Sequence, residues 1–208
     1  MVPTGRKSFF EVAARDVARM DRTRSLILDA ALETFDGLGY AATPVPVVAT
    51  RAQLAVGSLY RYFPSKEDLA NAVYRRERYR LARSLLAELD FDHAEPAREA
   101  FAGLWGRLAD VAVEHTDGLS FLELHFHDPY LDDESLALDE MTAADAAGHI
   151  RRWQVRGEVR DGDPRDLYLQ ALGGFTAVLR QVRRRHETVT RERMLTTLEP
   201  AWALLAAP

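Results

Sequence analysis

Between Thr43 and Lys66 the chain reads Thr-Pro-Val-Pro-Val-Val-Ala-Thr-Arg-Ala-Gln-Leu-Ala-Val-Gly-Ser-Leu-Tyr-Arg-Tyr-Phe-Pro-Ser-Lys. Its punctuation leaves room for little but three closely spaced helices. Thr43 is a good helix N-cap, and Pro44 then takes the first helical position. Pro46 falls in the first turn, where a missing N–H removes no bond. Val47 and Val48 are expected in a small core. Arg51–Leu54 form a tight turn into a second short helix at about 55–62, which Pro64 stops. Ser65 caps the next helix, and Asp68 three residues on completes a capping-box pattern. Helices this short are held by their neighbours rather than by their own propensity.

The rest of the chain is also helical, so an all-α fold is expected. Apolar residues recur at three- and four-residue spacing, without sustained strand-like alternation. Residues 8–20 suggest a helical N-terminal arm. A first core helix at about 21–38 places Leu26, Ala30 or Ala31, and Phe35 on one face, with Gly37 and Gly39 at its end. The helix opened by Ser65 spans roughly 66–89, with Leu69, Val73, Tyr74, Leu81, Leu85 and Leu89 inward. Further helices are expected near 95–116, 118–127, 132–157, 163–186 and 190–206. The clearest break is Gly157–Pro164, because Gly162-Asp163-Pro164 supplies a stop and a capped start. This divides the chain into an arm (1–20), a small front domain (21–66) and a larger rear domain (67–208).

Composition narrows the function. Residues 1–80 carry 13 Lys/Arg against 9 Asp/Glu, and residues 81–208 carry 14 against 23. A basic front and an acidic rear suit a protein that presents one end to a polyanion; uneven surface charge without a partner gives the same count. Cysteine is absent, which removes disulfides, thiolate metal sites and cysteine nucleophiles. No apolar run reaches the roughly 20 residues that span a bilayer, and the charged N-terminus does not read as a secretory signal. A cytoplasmic protein without a membrane partner is expected.

A helix-turn-helix lays its second helix in the DNA major groove and its first across the backbone. The helix at 55–62 presents small and hydroxyl-bearing side chains suited to that groove. Gly57 permits close approach, Val56 suits a thymine methyl, and Ser58 suits a base edge or a phosphate. Tyr60, Tyr62 and Lys66 read as phosphate contacts that fix register, with Thr43 as cap and phosphate donor together. Leu59 and Phe63 read as core. The string Tyr60-Arg61-Tyr62-Phe63-Pro64-Ser65-Lys66-Glu67-Asp68-Leu69 carries a family likeness. So do Ile27, Ala30-Ala31, Phe35, Gly39-Tyr40, Thr43, Val45, Val48-Ala49, Ala52, Gly57 and Leu59 upstream. Over Arg24–Leu69 the chain resembles the DNA-binding domain of the TetR/AcrR family of bacterial transcriptional regulators.

Two positions depart from that pattern. The family usually has glycine in the turn, where Gln53 stands, and serine at the cap of the reading helix, where Ala55 stands. Either Gln53 is left-handed at a cost of about 1 kcal/mol or the turn differs, and a lost cap costs roughly 0.5–2 kcal/mol. Gln53 and Arg51 can both reach bases or phosphates in compensation. Arg6, Lys7, Arg15, Arg19, Arg22 and Arg24 either form an arm along the DNA or, with Glu11, Asp16 and Asp21 interleaved, a solvated face.

The resemblance implies a rear domain with a small-molecule pocket and a dimer formed by the last two helices. For the dimer, the stripes Leu167, Ala171, Gly174, Val178, Val182 and Met194, Leu198, Trp202, Leu205 would meet their copies in a four-helix interface. Gly173-Gly174 in mid-helix fits close approach of another helix. For the pocket, Phe101, Trp105, Leu108, Phe121, Leu124, His125, Tyr130, Met141 and Trp153 supply apolar and aromatic walls, although any helical core needs the same residues. His125-Phe126-His127-Asp128 hints at metal, but residues two apart on a helix diverge. No metal or other cofactor is expected.

The expected function is a ligand-responsive regulator, a repressor whose homodimer leaves a double-stranded, palindromic operator when a small-molecule effector binds. The helix at 66–89 would carry the change forward. The alternative is a helical small-molecule-binding protein that has lost operator binding. Catalysis is not expected, since no phosphate-binding glycine loop, metal-ligand quartet or serine–histidine constellation stands out.

Overall fold

The computed structural model describes residues 22–86 and 95–207. The expected arm at 8–20 and Leu89 lie outside these. Ten helices follow one another: α1 (Arg22–Leu38), α2 (Val45–Arg51), α3 (Val56–Tyr62), α4 (Lys66–Leu86), α5 (Ala97–Glu114), α6 (Thr116–Leu124), α7 (Asp133–Val155), α8 (Pro164–Arg184), α9 (Arg191–Leu195) and α10 (Leu198–Leu205). Among the described residues the strand-like pairing is an isolated bridge between Val159 and Ala206, so the all-α expectation holds.

The chain forms two compact units. The front unit holds α1–α3, α4 as far as Arg83, and His125–Leu138; the rear unit holds Ser84–Leu124 and Asp139 onward. All but the last three residues of α4 and the segment after α6 therefore group with the front.

In the front unit, Ile27, Leu28, Ala31 and Phe35 of α1 are fully buried, together with Val48 and Ala49 of α2, Leu59 of α3 and Leu69 and Val73 of α4. On the expected α1 face Ala30, Ala31 and Phe35 are buried, but Leu26 is 52% exposed and Ile27 takes its place. Gly39 ends α1 at φ +79°, its N–H bonding the Phe35 carbonyl at 2.8 Å. That left-handed turn needs a residue without Cβ.

The start of α2 differs from expectation. Pro44, not Thr43, occupies the cap position, and no side chain caps the helix. Thr43 is buried, and its hydroxyl lies 2.8 Å from the Gly39 carbonyl. It ties the α1–α2 turn together. This one-residue shift also turns Val45 inward and leaves Val47 exposed.

The expected cap on α4 is present. The Asp68 N–H donates to Ser65 Oγ at 2.9 Å, and the Ser65 hydroxyl donates to the Asp68 carboxylate at 2.7 Å. Arg76 then joins α4 to α1, donating to Asp29 at 2.7 Å and to the Leu28 carbonyl at 3.2 Å, and it pairs with the buried Glu77.

In the rear unit, Gly157 at φ +73° follows α7, and Asp163 caps α8, accepting from the N–H groups of Arg165 (2.8 Å) and Asp166 (3.2 Å). α8 buries Leu167, Ala171, Phe175, Leu179 and Val182. The single helix expected at 190–206 is two, α9 and α10. Pro200 has no N–H to give to Thr196 and clashes with a continuous helix there, but it sits comfortably in the first turn of a new one.

Candidate nucleic-acid interface

α3 owes its position to one side chain. Leu59 is its only buried residue, and the helix is otherwise half-buried or exposed. Gly57 and Tyr60 are exposed; Val56, Ser58 and Tyr62 are half-buried. Phe63, just past the helix, is buried as expected and carries the Arg24 guanidinium over its ring at 5.2 Å.

A Cβ added at Gly57 would meet nothing within 4 Å, and the backbone there is ordinary right-handed helix. Neither space nor conformation inside this chain requires the glycine. Gly57 is the second residue of α3, where glycine costs less than the about 1 kcal/mol relative to alanine that it costs in a helix interior.

The turn into α3 has the shape the sequence suggested. Gln53 sits at φ +58°, in the left-handed region, and is exposed. Ala55 occupies the N-cap position, with no side-chain hydrogen bond. Two local penalties are therefore present together at the entrance to the helix.

The remaining candidates vary in availability. Arg51 is exposed and pairs with Glu33 at 3.1 Å, an interaction worth about 0.2–1 kcal/mol at most sites of this exposure. Lys66 Nζ lies 4.3 Å from the centre of the Tyr40 ring and 3.5 Å from the Ala41 carbonyl. Thr43 leaves the set, because its one hydroxyl proton is directed at a backbone carbonyl inside the core. Sequence reasoning passed over Arg61. It is exposed on α3, with Nη2 3.5 Å from Ser58 Oγ; its spacing of four from Gly57 could have flagged it.

Beneath the surface, the front unit is braced by aromatic and ionic contacts. Tyr40 packs against Tyr130 with ring centres 4.2 Å apart and donates to Glu67 at 2.8 Å. Burial and the Glu67 carboxylate push the Tyr40 hydroxyl up to about 12. Glu67 is held below the usual carboxylate range by its own backbone N–H and by Tyr40. Asn71 holds the segment after α6 by both ends of its amide, donating to the Tyr130 carbonyl at 2.6 Å and accepting from the Asp132 N–H at 3.0 Å. Burial acts to raise Asp132, and its bonds to Arg75 and Ser135 outweigh that, leaving it low.

The expected pocket residues are divided between the two units. His125 and Tyr130 belong to the front unit. α6 ends at Leu124, so the two histidines lie on a loop, not on a helix as expected. His125 Nε2 lies 3.3 Å from Asp36, and His127 Nδ1 bonds the Tyr130 hydroxyl. No group of three or more potential metal ligands occurs among the described residues. In the rear unit Phe101, Trp105, Leu108, Phe121 and Trp153 are buried by the protein itself. Trp105 stacks on Phe101 at 4.9 Å, meets Phe175 edge-on at 5.6 Å, and donates its indole N–H to Thr197 at 2.9 Å. Leu124 and Met141 are half-buried.

The two expected dimer stripes divide between the chain's own core and its surface. Leu167, Ala171, Val182, Met194 and Leu205 are buried within the chain. Leu198, Trp202 and Val178 are half-buried, and Gly174 is exposed. The outward face of α8 is instead Leu169, Gly173, Gly174 and Ala177, and a Cβ at either glycine would meet nothing within 4 Å. α8 carries apolar residues on both faces, so periodicity alone selects the face that meets the chain's own core.

Comparison with known proteins agrees with this arrangement. The family model described as "Bacterial regulatory proteins, tetR family" matches residues 27–73, and that described as "Tetracyclin repressor-like, C-terminal domain" matches residues 80–205. The HTH-type transcriptional repressor KstR of Rhodococcus jostii is 50% identical over 54 residues, 26% of each chain. The chain thus spans about a quarter of the length of the curated relatives it matches. Among solved structures, a TetR family transcription regulator from Marinobacter aquaeolei VT8 has a TM-score of 0.72 at 20% identity, covering 94% of this chain and 99% of that one. The transcriptional regulator FadR from Bacillus subtilis, solved with stearoyl-CoA, has a TM-score of 0.70 at 18% identity, covering 85% and 96%. With both family models matched in chain order over α1–α10, the protein belongs to the tetR family of bacterial regulatory proteins.

Proposed function

We propose that this protein is a DNA-binding transcriptional repressor. It works as a homodimer on a palindromic operator in the cytoplasm and leaves that operator when a small molecule occupies the rear unit. The observation that carries the DNA reading is Gly57, a bare and solvent-facing backbone in the first turn of α3 with nothing near it. A helix accepts that cost where something outside the chain must come close, and the hydroxyls of Ser58, Tyr60 and Tyr62 around it suit a phosphate-lined groove. The KstR relatives are named as repressors, which favours repression over activation.

Two reading helices are needed for a tight site. The outward face of α8, with Leu169, Gly173, Gly174 and Ala177, is the surface proposed for pairing two copies. The FadR neighbour is a regulator with a ligand bound, and an effector here would reach the half-buried Leu124 and Met141 with least rearrangement of the buried aromatic cluster. Effector binding need shift the balance by only about 1–3 kcal/mol to matter.

The test is titration of the full-length protein against duplex DNA from upstream of its own coding region, over a range of salt. Saturable binding that outcompetes random duplex, with affinity falling steeply as salt rises, supports the reading. The rival reading, a small-molecule-binding protein without an operator, draws on the uncapped start of α3 and the left-handed Gln53. Equal binding to operator and random duplex would favour it.

A further inference from the structure

Arg61 stands at the centre of the outward face of α3. With Leu59 as the buried reference and 100° between successive residues, Gly57 and Arg61 each lie roughly 160° from the core direction, one on either side. Val56 and Tyr62 fall roughly 60° away and Ser58 and Tyr60 roughly 100°. The observed exposure follows this order, with Gly57 and Arg61 open and Val56 and Tyr62 half-buried.

The guanidinium lies back over the preceding turn, as helical side chains lean toward the N-terminus. Its Nη2 is 3.5 Å from Ser58 Oγ, at the outer limit of a hydrogen bond. The missing side chain at Gly57 leaves that turn clear. Of the other cations between Thr43 and Lys66, Arg51 pairs with Glu33 and Lys66 rests on the Tyr40 ring. Arg61 has no ion-pair partner among the described residues.

A planar fork of five N–H donors at the middle of a groove-facing surface matches the O6 and N7 acceptors that guanine presents in the major groove. Resting on the reading of α3 as the duplex-reading helix, we propose that Arg61 reads one guanine in each half-site and is the main source of base preference in this protein. The bare backbone at Gly57 then has a second use, giving the guanidinium room to lie flat against the base edge.

The test is selection of preferred sites from a randomised duplex library by the full-length protein and by Arg61→Ala and Arg61→Lys. The wild type should enrich a site with one guanine fixed in each half. Arg61→Ala should lose roughly tenfold to a hundredfold in affinity for that site and accept any base at the guanine position. Arg61→Lys keeps the charge but not the fork, so it should keep the wild-type salt dependence while accepting any base there. If both variants still demand the guanine, or if Arg61→Ala weakens every sequence equally and only flattens the salt dependence, the residue holds a phosphate and the proposal is wrong. If the wild type enriches no site, the DNA reading itself fails, and this assignment fails with it. Thermal unfolding of each variant close to wild type is expected, since the side chain is exposed.

Discussion

α3 and α8 both turn glycine toward solvent, and in both an added Cβ would meet only open space. Their lengths and neighbours differ. α3 has seven residues, one buried, and surrounds Gly57 with Ser58, Tyr60 and Arg61. α8 has 21 residues, buries six, and surrounds Gly173 and Gly174 with Leu169 and Ala177. A solvent-facing glycine inside a helix points to a partner outside the chain, because nothing inside makes use of it. The chemistry around it then selects the partner. Hydroxyls and a guanidinium suit a polyanion in a groove; leucine and alanine suit a second apolar helix.

The sharpest way to separate the two faces of α8 is to cut each in turn. Leu167→Ala on the inner face should lower the unfolding free energy by about 2–5 kcal/mol in denaturant titration, because Leu167 is 2% exposed in the single chain. The double change Gly173→Glu and Ala177→Glu on the outer face should leave the fold in place but abolish the dimer in analytical ultracentrifugation. Operator affinity should then fall roughly a hundredfold or more, since the second half-site no longer adds to the first. A dimer that survives both glutamates would place the interface elsewhere.

On α3, smaller changes sharpen the contrast. Gln53→Gly relieves a left-handed residue at φ +58° and should raise stability by about 1 kcal/mol. No gain would mean that the turn relaxes in solution. The smallest effect concerns pH. Tyr40 titrates at about 12 in the fold against 10.0 ordinarily. The stability it contributes is complete below pH 10 and drains away as pH rises toward 12. Glu67 and Asp132 are both held low, so their contributions are present at neutral pH and fade as pH falls through the acid range. Tyr40→Phe should remove the alkaline loss that Tyr40 causes and also shrink the acid one, because the Tyr40 hydroxyl helps to hold Glu67 low; the share due to Asp132 should persist, as read by unfolding across pH.

The sequence made the front unit legible because its signals are local. Proline, serine and glycine at fixed positions set the turns of α2, α3 and α4, and the left-handed backbone at Gln53 is one of the two outcomes that its departure from glycine leaves open. Errors there were single-residue shifts: Pro44 displaced Thr43 from the cap, and Leu26 exchanged places with Ile27. The rear unit was legible only as a set of helices. Apolar spacing runs on through Pro200, which joins α9 and α10, and past Leu124, which extends α6 over His125 and His127. The faces of α8 were confused because both are apolar; only the space around each glycine, a property of the folded chain, tells them apart. Asn71 and Arg76 gave no sequence signal, since their partners lie 59 and 47 residues away.

Gly57 is the residue on which duplex binding by α3 turns. The decisive measurement is Gly57→Ala, assayed in one preparation for unfolding free energy and for affinity toward the site selected by the wild type. The two readouts should move in opposite directions. Stability should rise by up to about 1 kcal/mol as the helix gains a better former. Affinity should fall roughly tenfold or more, equivalent to about 1.4 kcal/mol, as the new methyl holds the helix off the duplex. Unchanged affinity, or stability and affinity falling together, would contradict that role.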